Sequence, residues 1–495
     1  MQTIIDYMAE EFILKLNETR NNFYKNPKNL ADFIISTRKE TDELARRFIQ
    51  SVIQETEEII YQLPNRKKNW YVNQKGDNKK LLTSVGEVIY SKTLYESKTK
   101  RDENGNKIYC YLLDQVLGLE PNQTMTEDVK ANIYREAVQT SYRKGGEMAC
   151  PEGVTKGTVK NVLHQLKFPK NFQVPEVKKV VDYLYIDADE DHYHLQFQNK
   201  KGDIVISENG RKCNGAINKI IYVFEDIVPE APKSNRHKLV NTHYFCRGTE
   251  QDNKDLWEEV FAYIDATYDV EKIKRIYINS DGGPWIKSGR YGFTHTMFVL
   301  DEFHISQSFM RLTRHMKDSR DDAIAELRSC IRQKNKSDFY GIIERLKGCT
   351  ESEKVIKRIE KEAEYIASNW TAAKYRLKKK EGVKSCSAEG HVYHVLSSRM
   401  STQAMGWSRH GGSQMAHLRE YYYNGGDMLE LAKYQKEDLP KVAGAEDVIL
   451  GAGSVLEKRI RSRIETEYGK YSERMSHTLS TQSNKRLWFY LNGKI

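Results

Sequence analysis

Cysteines at metal-ligand spacing are missing from this sequence. The seven present, Cys110, Cys150, Cys213, Cys246, Cys330, Cys349 and Cys386, are scattered, odd in number and never spaced C-x-x-C. That argues against a zinc ribbon or a disulfide framework and fits a reducing, cytosolic setting. Long apolar runs are missing too: none approaches the ~20 residues of a membrane span, and Asp6, Glu10 and Glu11 interrupt the N-terminal apolar residues where a secretory signal would have none. A soluble cytoplasmic protein without a membrane partner is expected.

What the chain does have is size and positive charge. Its 495 residues suggest several domains at ~150 residues each. The 79 Lys and Arg against 69 Asp and Glu give a formal charge of +10, which favours polyanionic partners, nucleic acid ahead of membrane.

The apolar residues of the first 61 positions recur at helical spacing, as in Met8, Phe12, Ile13 and Leu16, then Leu44, Phe48, Ile49, Val52 and Ile53. They predict amphipathic helices, either a plain domain edge or a dimerisation or end-binding arm. Two β-like runs, Val85 to Tyr95 and Ile108 to Leu113, flank Asn104-Gly105 and predict a small hairpin. Further on, Asp128 to Tyr142 and Ser141 to Ala149 have helical patterns, the second weakened by Gly145-Gly146. A third helix follows Pro151-Glu152-Gly153, with Thr155 as its N-cap and Val159, Val162, Leu163 and Leu166 on one face. Lys156, Thr158, Lys160 and Asn161 then lie on or near the outer side, as in the recognition helix of a helix-turn-helix, where Lys neutralises phosphate and Asn pairs with adenine.

Beyond Pro175 the period changes to two. Val180 to Asp187 and His192 to Gln198 predict two paired strands around a tight acidic turn, with Asp187 and Asp189 on one face. Strand-like runs at Ile217 to Ile227 and Lys238 to Cys246, a helix at Leu256 to Tyr268 and a short strand at Ile273 to Asn279 complete a mixed α/β sheet. From Ile305 to Glu381 the pattern is helical throughout, and its Lys378-Lys379-Lys380 run is a solvated face or a DNA contact. Asp281 sits at the end of a strand directly before two glycines, and Glu389 opens a helical stretch after the insertion. Converging acids are what two-metal phosphodiester chemistry requires, because hard divalent ions prefer carboxylate ligands.

Three local patterns match one family in order. They are Tyr185-Ile-Asp-Ala-Asp-Glu-Asp-His192; Asn279-Ser-Asp-Gly-Gly-Pro-Trp-Ile286 followed by Val299-Leu-Asp-Glu-Phe-His-Ile305; and Ala388, Glu389, Gly390, His391 and Val392, continuing to Ser398-Arg399-Met400 and Met405-Gly406-Trp407. Together they resemble the DDE transposases of the ISLre-type bacterial insertion sequences over most of the chain. The resemblance implies an α/β ribonuclease-H-like catalytic core with an all-helical insertion, preceded by a mainly helical DNA-binding region containing the helix-turn-helix. The divisions expected are an N-terminal helical region with a hairpin (1–120), a helix-turn-helix domain (121–172), the first part of the core (173–305), the insertion (306–384), the final helical part of the core (385–425) and a basic C-terminal region (426–495).

Carried over, the resemblance makes Asp189, Asp281 and Glu389 the catalytic, metal-binding acids. Where many relatives have Asp-Gly, this chain has Asp189-Glu190 and adds Asp187, so Asp187 and Asp189 both stand as candidates for the first acid. His304 falls in an Asp-x-x-His element close to the active site. Trp285 and Trp407 either stack on unpaired bases or, as the default, pack in the core, and Arg399 either pairs with phosphate or braces the third helix. The implied cofactor is a pair of Mg²⁺ ions, with Mn²⁺ as a substitute. The implied partners are double-stranded transposon ends and target DNA, synapsed by a homodimer or larger assembly at the bacterial nucleoid. A ribonuclease-H-like nuclease or resolvase that does not join DNA shares the same acids, and a non-catalytic helix-turn-helix regulator would need none of them. The basic, aromatic stretch from Lys458 to Trp488 is expected either to track DNA or to be a charged surface tail.

Overall fold

A computed structural model describes residues 7–458 apart from 170–171, 173, 198–213, 249–251, 404 and 437–441. The basic run beyond Lys458 lies outside the described residues. The chain divides into two units, one formed by residues up to Val162 together with those from Met428, the other by Leu163–Asp427. No described helix is long and apolar enough to cross a membrane.

The first unit opens with helices α1 (Ile13–Lys25) and α2 (Leu30–Gln62). They are followed by an antiparallel sheet of β1 (Trp70–Thr83), β2 (Gly86–Arg101) and β3 (Lys107–Tyr111), in that order. The expected hairpin joins β2 to β3, with Gly105 at positive φ in its turn. Strand β1 was not expected, because its Asn, Gln, Lys and Asp residues mask a strand whose exposed face needs no apolar side chains. Ile59, Ile60, Trp70, Val88, Tyr95 and Leu113 form a core that also takes in Ala445, Val448 and Ala452. The described residues 442–458 thus belong to the core of the N-terminal unit.

After the sheet and a short helical turn at Leu112–Val116 come α3 (Glu127–Ala137), α4 (Tyr142–Glu147) and α5 (Lys156–His164). The Thr155 hydroxyl accepts from the Thr158 amide at 3.2 Å, as an N-cap does. The glycines that weaken α4 as a helix are there for packing. A side chain at Gly145 would press on the Ala137 backbone, and one at Gly146 would stand 2.2 Å from the Val154 carbonyl oxygen.

In the second unit a five-stranded sheet contains β4 (Tyr183–His194), β5 (Gly215–Phe224), β6 (His243–Gly248), β7 (Arg275–Ser280) and β8 (Thr296–Leu300). Its order is β8-β7-β4-β5-β6. Strands β4, β5 and β6 form an antiparallel meander, and β7 and β8 continue the sheet in parallel on the other side of β4. Helix α6 (Asn253–Thr267) covers one face, packing Leu256, Val260 and Ile264 on Ile186, Ile221 and Ile278.

The expected acidic turn between two strands at 180–198 is not formed: β4 runs straight through it. Its acids alternate onto one face, where neighbouring donors meet Asp187 and Asp191, so the backbone has no reason to turn. After β8 come five helices: α7 (Glu302–Thr313), α8 (Arg320–Gln333), α9 (Lys336–Gly348), α10 (Glu353–Ser368) and α11 (Trp370–Leu377). They share a core of Ile305, Phe309, Leu327, Phe339, Ile359 and Trp370, and occupy the stretch expected to be an all-helical insertion.

Two consequences for stability follow. Gly146→Ala is expected to destabilise the first unit by about 1–3 kcal/mol through overpacking against Val154, read as a lower midpoint in chemical denaturation. Glu57 on α2 is buried, which pushes its carboxyl from the ordinary 4.5 up to about 7. A raised pKa favours the protonated folded state, so this contribution is full at low pH and is lost as pH rises through 7. Glu57→Gln is therefore expected to gain on the order of 1–3 kcal/mol relative to wild type at pH 8 and little at pH 4; equal effects at both would refute the assignment.

Candidate active site

Strand register brings the first two acids together. Asp187 is the last residue of β4 paired with β7, opposite Asn279, and β7 ends one residue later at Ser280. Two positions on, the same rows carry Asp189 and Asp281, at the point where β7 leaves the sheet and β4 continues. Residues side by side in parallel register face the same way. Burial, reinforced by the negative charge of Asp281, holds the Asp189 carboxyl up at about 6 against the opposing pull of the Glu190 amide and His304.

Backbone amides donate to these two carboxylates. The Glu190 amide donates to Asp189 Oδ1 at 2.8 Å and the Gly283 amide to Asp281 Oδ1 at 2.9 Å. Gly282, at a φ of 95°, turns the chain immediately after Asp281. The Tyr365 hydroxyl of α10 donates to the Asp281 carbonyl at 2.6 Å, fixing that turn from the helical insertion.

A third aspartate extends the row. Leu300 of β8 pairs with Ser280, and the Asp301 amide donates to the Ser280 carbonyl at 2.9 Å, so Asp301 stands beside Asp281 at the strand ends. It caps α7 by accepting from the Phe303 amide, and its carboxylate lies 4.0 Å from His304 Nε2. Burial raises the Asp301 carboxyl, opposed by the charges of His304 and Arg376. In the sequence Asp301 was visible only as part of the element that pointed to His304; its place next to Asp281 needed the register of β8.

Asp187 is not an open ligand position. It is fully buried, accepting from Asn279 Nδ2 at 2.7 Å on one oxygen and from the Tyr222 hydroxyl at 2.9 Å and the Ser387 amide at 3.0 Å on the other. Of the two candidates for first acid it is the one already committed to protein donors. Asp191, on the far side of Asp189, is likewise buried and accepts from the hydroxyls of Ser397 and Ser401 at 2.6 and 2.8 Å. The two flanking aspartates therefore staple the segment 387–401 to β4, with Asp189 between them. Sequence reading missed Asp191 and the three serines because nothing local marks a serine as a partner some two hundred positions away.

Glu389 lies in the first turn of α12 (Ala388–Val392), two residues after the stapled Ser387, with its side chain exposed. Among the described residues no three His, Cys, Asp or Glu side chains form a group able to hold a metal ion. Asp189 neighbours Asp281, and Asp301 neighbours His304, at the strand ends without closing into such a group, and Glu389 stands exposed on α12. The donor chemistry of the Asp189–Asp281 pair nonetheless suits a hard divalent cation, whose charge would offset the burial and the neighbouring negative charge that raise Asp189.

The expected DNA contacts divide. On α5 Lys156, Lys160 and Asn161 are exposed and Thr158 is half-buried. Trp285 is half-buried, its carbonyl accepting from Trp257 Nε1 at 2.9 Å, with Lys219 Nζ 5.5 Å from its ring. Arg399 and Trp407 are corrected: both are buried, the guanidinium 4.8 Å over the indole and the indole N–H donating to the Met400 carbonyl at 3.0 Å. They brace the segment behind Glu389 from the interior, the bracing and packing roles the sequence also allowed.

Comparison with known proteins places the chain. The sequence pattern of UPF0236, an uncharacterised protein family, matches residues 24–437. Two UPF0236 proteins of Caldanaerobacter subterraneus subsp. tengcongensis are 33% identical to it. One aligns over 441 residues, 88% of each chain, and the other over 411 residues, 83% of this chain and 82% of its own. The first bears eleven designations under one name, and a third relative from the same organism, 32% identical over 438 residues (88% of this chain, 87% of its own), bears four. A solved Drosophila P element transposase strand transfer complex aligns over 70% of this chain and 82% of its own, at 11% identity and a TM-score of 0.22, too low to argue from. On the extent of the family match and of these relatives, the chain belongs to the UPF0236 family.

Proposed function

We propose that this protein is a DNA transposase that binds the terminal inverted repeats of an insertion sequence and catalyses metal-dependent strand cleavage and strand transfer. The observation that carries the reading is the register setting Asp189 beside Asp281 where β7 leaves the sheet, with the Glu389 segment stapled to β4 on either side of Asp189. A three-strand meander followed by a helix and two parallel strands supports a ribonuclease-H-like core. Relatives that bear eleven and four designations in one organism are what a self-copying element would leave.

In this reading Asp189, Asp281 and Glu389 would hold two Mg²⁺ ions, or Mn²⁺ in their place. The bound ions would supply activation of the attacking oxygen, first water and then a DNA 3′-hydroxyl, and charge stabilisation of the leaving oxygen. The protein's own part is positioning. The amides of Glu190 and Gly283 orient the two aspartates, and Tyr365 keeps the Asp281 turn in place. Asp301 orients His304 toward the scissile phosphate. Asp187 is removed from the ligand set and assigned the anchoring of Ser387. Helix α5 presents Lys156, Thr158, Lys160 and Asn161 to the terminal repeat, and two copies synapse two ends in the cytoplasm, at the nucleoid.

The test is incubation of purified protein with its flanking DNA ends and Mg²⁺, scoring cut and joined products separately. Asp281→Asn and Glu389→Gln are each expected to lower both by a factor of about 10³ or more while leaving DNA binding intact. Free ends without joints would make the protein a nuclease or resolvase, and binding with no metal-dependent product a regulator. Lys160→Ala is expected to weaken binding across sequences and reduce its salt slope by about 1, whereas Asn161→Ala relaxes preference at one base pair by about 1–3 kcal/mol. Unchanged binding in both would remove α5 from the interface.

A further inference from the structure

Helix α2 carries an apolar stripe that the unit around it leaves open. Leu30, Ile34, Phe48 and Val52 are 53%, 57%, 54% and 43% exposed. With Thr37, Thr41 and Leu44 between them they follow at intervals of four, three, four, three, four and four residues, a spacing that keeps all seven on one face of a helix and matches a coiled-coil seam. Helix α1 packs along a different side of α2, through contacts such as Phe23 on Phe33 at 4.8 Å. Farther along, Ile53, Ile59 and Ile60 are buried in the unit's own core. The open stripe is therefore a face of α2 turned away from that core.

The large apolar positions are symmetric about Thr41. Leu30 and Val52 each lie eleven residues from it, and Ile34 and Phe48 each lie seven. An antiparallel copy of the helix with its twofold axis at Thr41 sets Leu30 against Val52 and Ile34 against Phe48, as an isologous contact requires. It also brings Arg38 close to Asp42 of the second copy, and Asp42 close to Arg38. Within one copy these two are an exposed i,i+4 pair at 3.8 Å; the pairing turns it into a four-charge cluster of alternating sign. A parallel pairing would set Arg38 against Arg38 and Asp42 against Asp42. The stripe from Leu30 to Val52 is ~34 Å long, and pairing it with its copy buries on the order of 1,000–1,500 Å², the size of a small specific interface.

We propose that this stripe is the seam of an antiparallel homodimer of the chain, with its twofold axis at Thr41. The inference does not rest on the catalytic reading.

The test uses the full chain in sedimentation equilibrium. Wild type is expected to dimerise at micromolar concentration. Ile34→Glu and Phe48→Glu are each expected to raise the dissociation constant roughly tenfold or more with an unchanged circular dichroism spectrum. Arg38→Asp and Asp42→Arg should each weaken the dimer, and the double exchange should restore it. In a Cys349→Ser background, Thr41→Cys should cross-link to itself on mild oxidation while Ile34→Cys and Phe48→Cys cross-link only when mixed. A monomeric wild type, a dimer indifferent to Ile34→Glu, or self-cross-linking at all three positions overturns the proposal. Asp281→Asn must leave the dimer intact, so the seam and the transposase reading can fail separately.

Discussion

A carboxylate withdrawn from water inside a sheet must be met by donors or by opposite charge, and β4 carries three of them at alternate positions. Asp187 is met by Asn279, Tyr222 and Ser387, and Asp191 by Ser397 and Ser401. Asp189 accepts from the amide of its own neighbour Glu190, and its burial, with Asp281 beside it, raises its pKa. The cost of burying the outer two is offset by hydrogen bonds that also tie a distant segment to the strand. The middle one keeps an electrostatic need that a bound cation would satisfy.

The same requirement joins the helical insertion to the sheet. Asn279 uses its amide nitrogen for Asp187 and its carbonyl oxygen for Arg376, which donates to it at 2.8 Å and also to the Leu300 carbonyl at 3.0 Å. A continuous chain thus runs from α11 through β7 and β4 to Ser387. Every group in it is buried or half-buried, so loss of any one member leaves a polar atom without its partner. Positioning of the acids and stability of the insertion are consequently one problem.

Elements governed by local rules were legible. The Thr155 cap, the hairpin at Asn104-Gly105, the helices from Glu302 to Leu377 and the turn after Asp281 follow from side chains within a few residues of one another. Elements governed by distant partners were not. The cluster Asp187 to Asp191 reads as a turn because acids favour solvent, and it becomes a strand only when Asn279, Tyr222 and the serines are in place. Strand β1 reads as loop because its polar residues hide an edge that needs only β2 for pairing. Arg399 and Trp407 read as nucleic-acid contacts by residue type, yet stack on each other in the interior.

The sequence by itself determined the inventory: which acids exist, which of them alternate onto one face, where helices start and where a glycine turn is forced, since these depend on neighbours in the chain. Only the tertiary structure decided which acid remains available. Strand register chose Asp189 as the partner of Asp281, added Asp301 at the next strand end and assigned Asp187 and Asp191 to anchoring, because the donors that occupy a carboxylate come from other strands and helices.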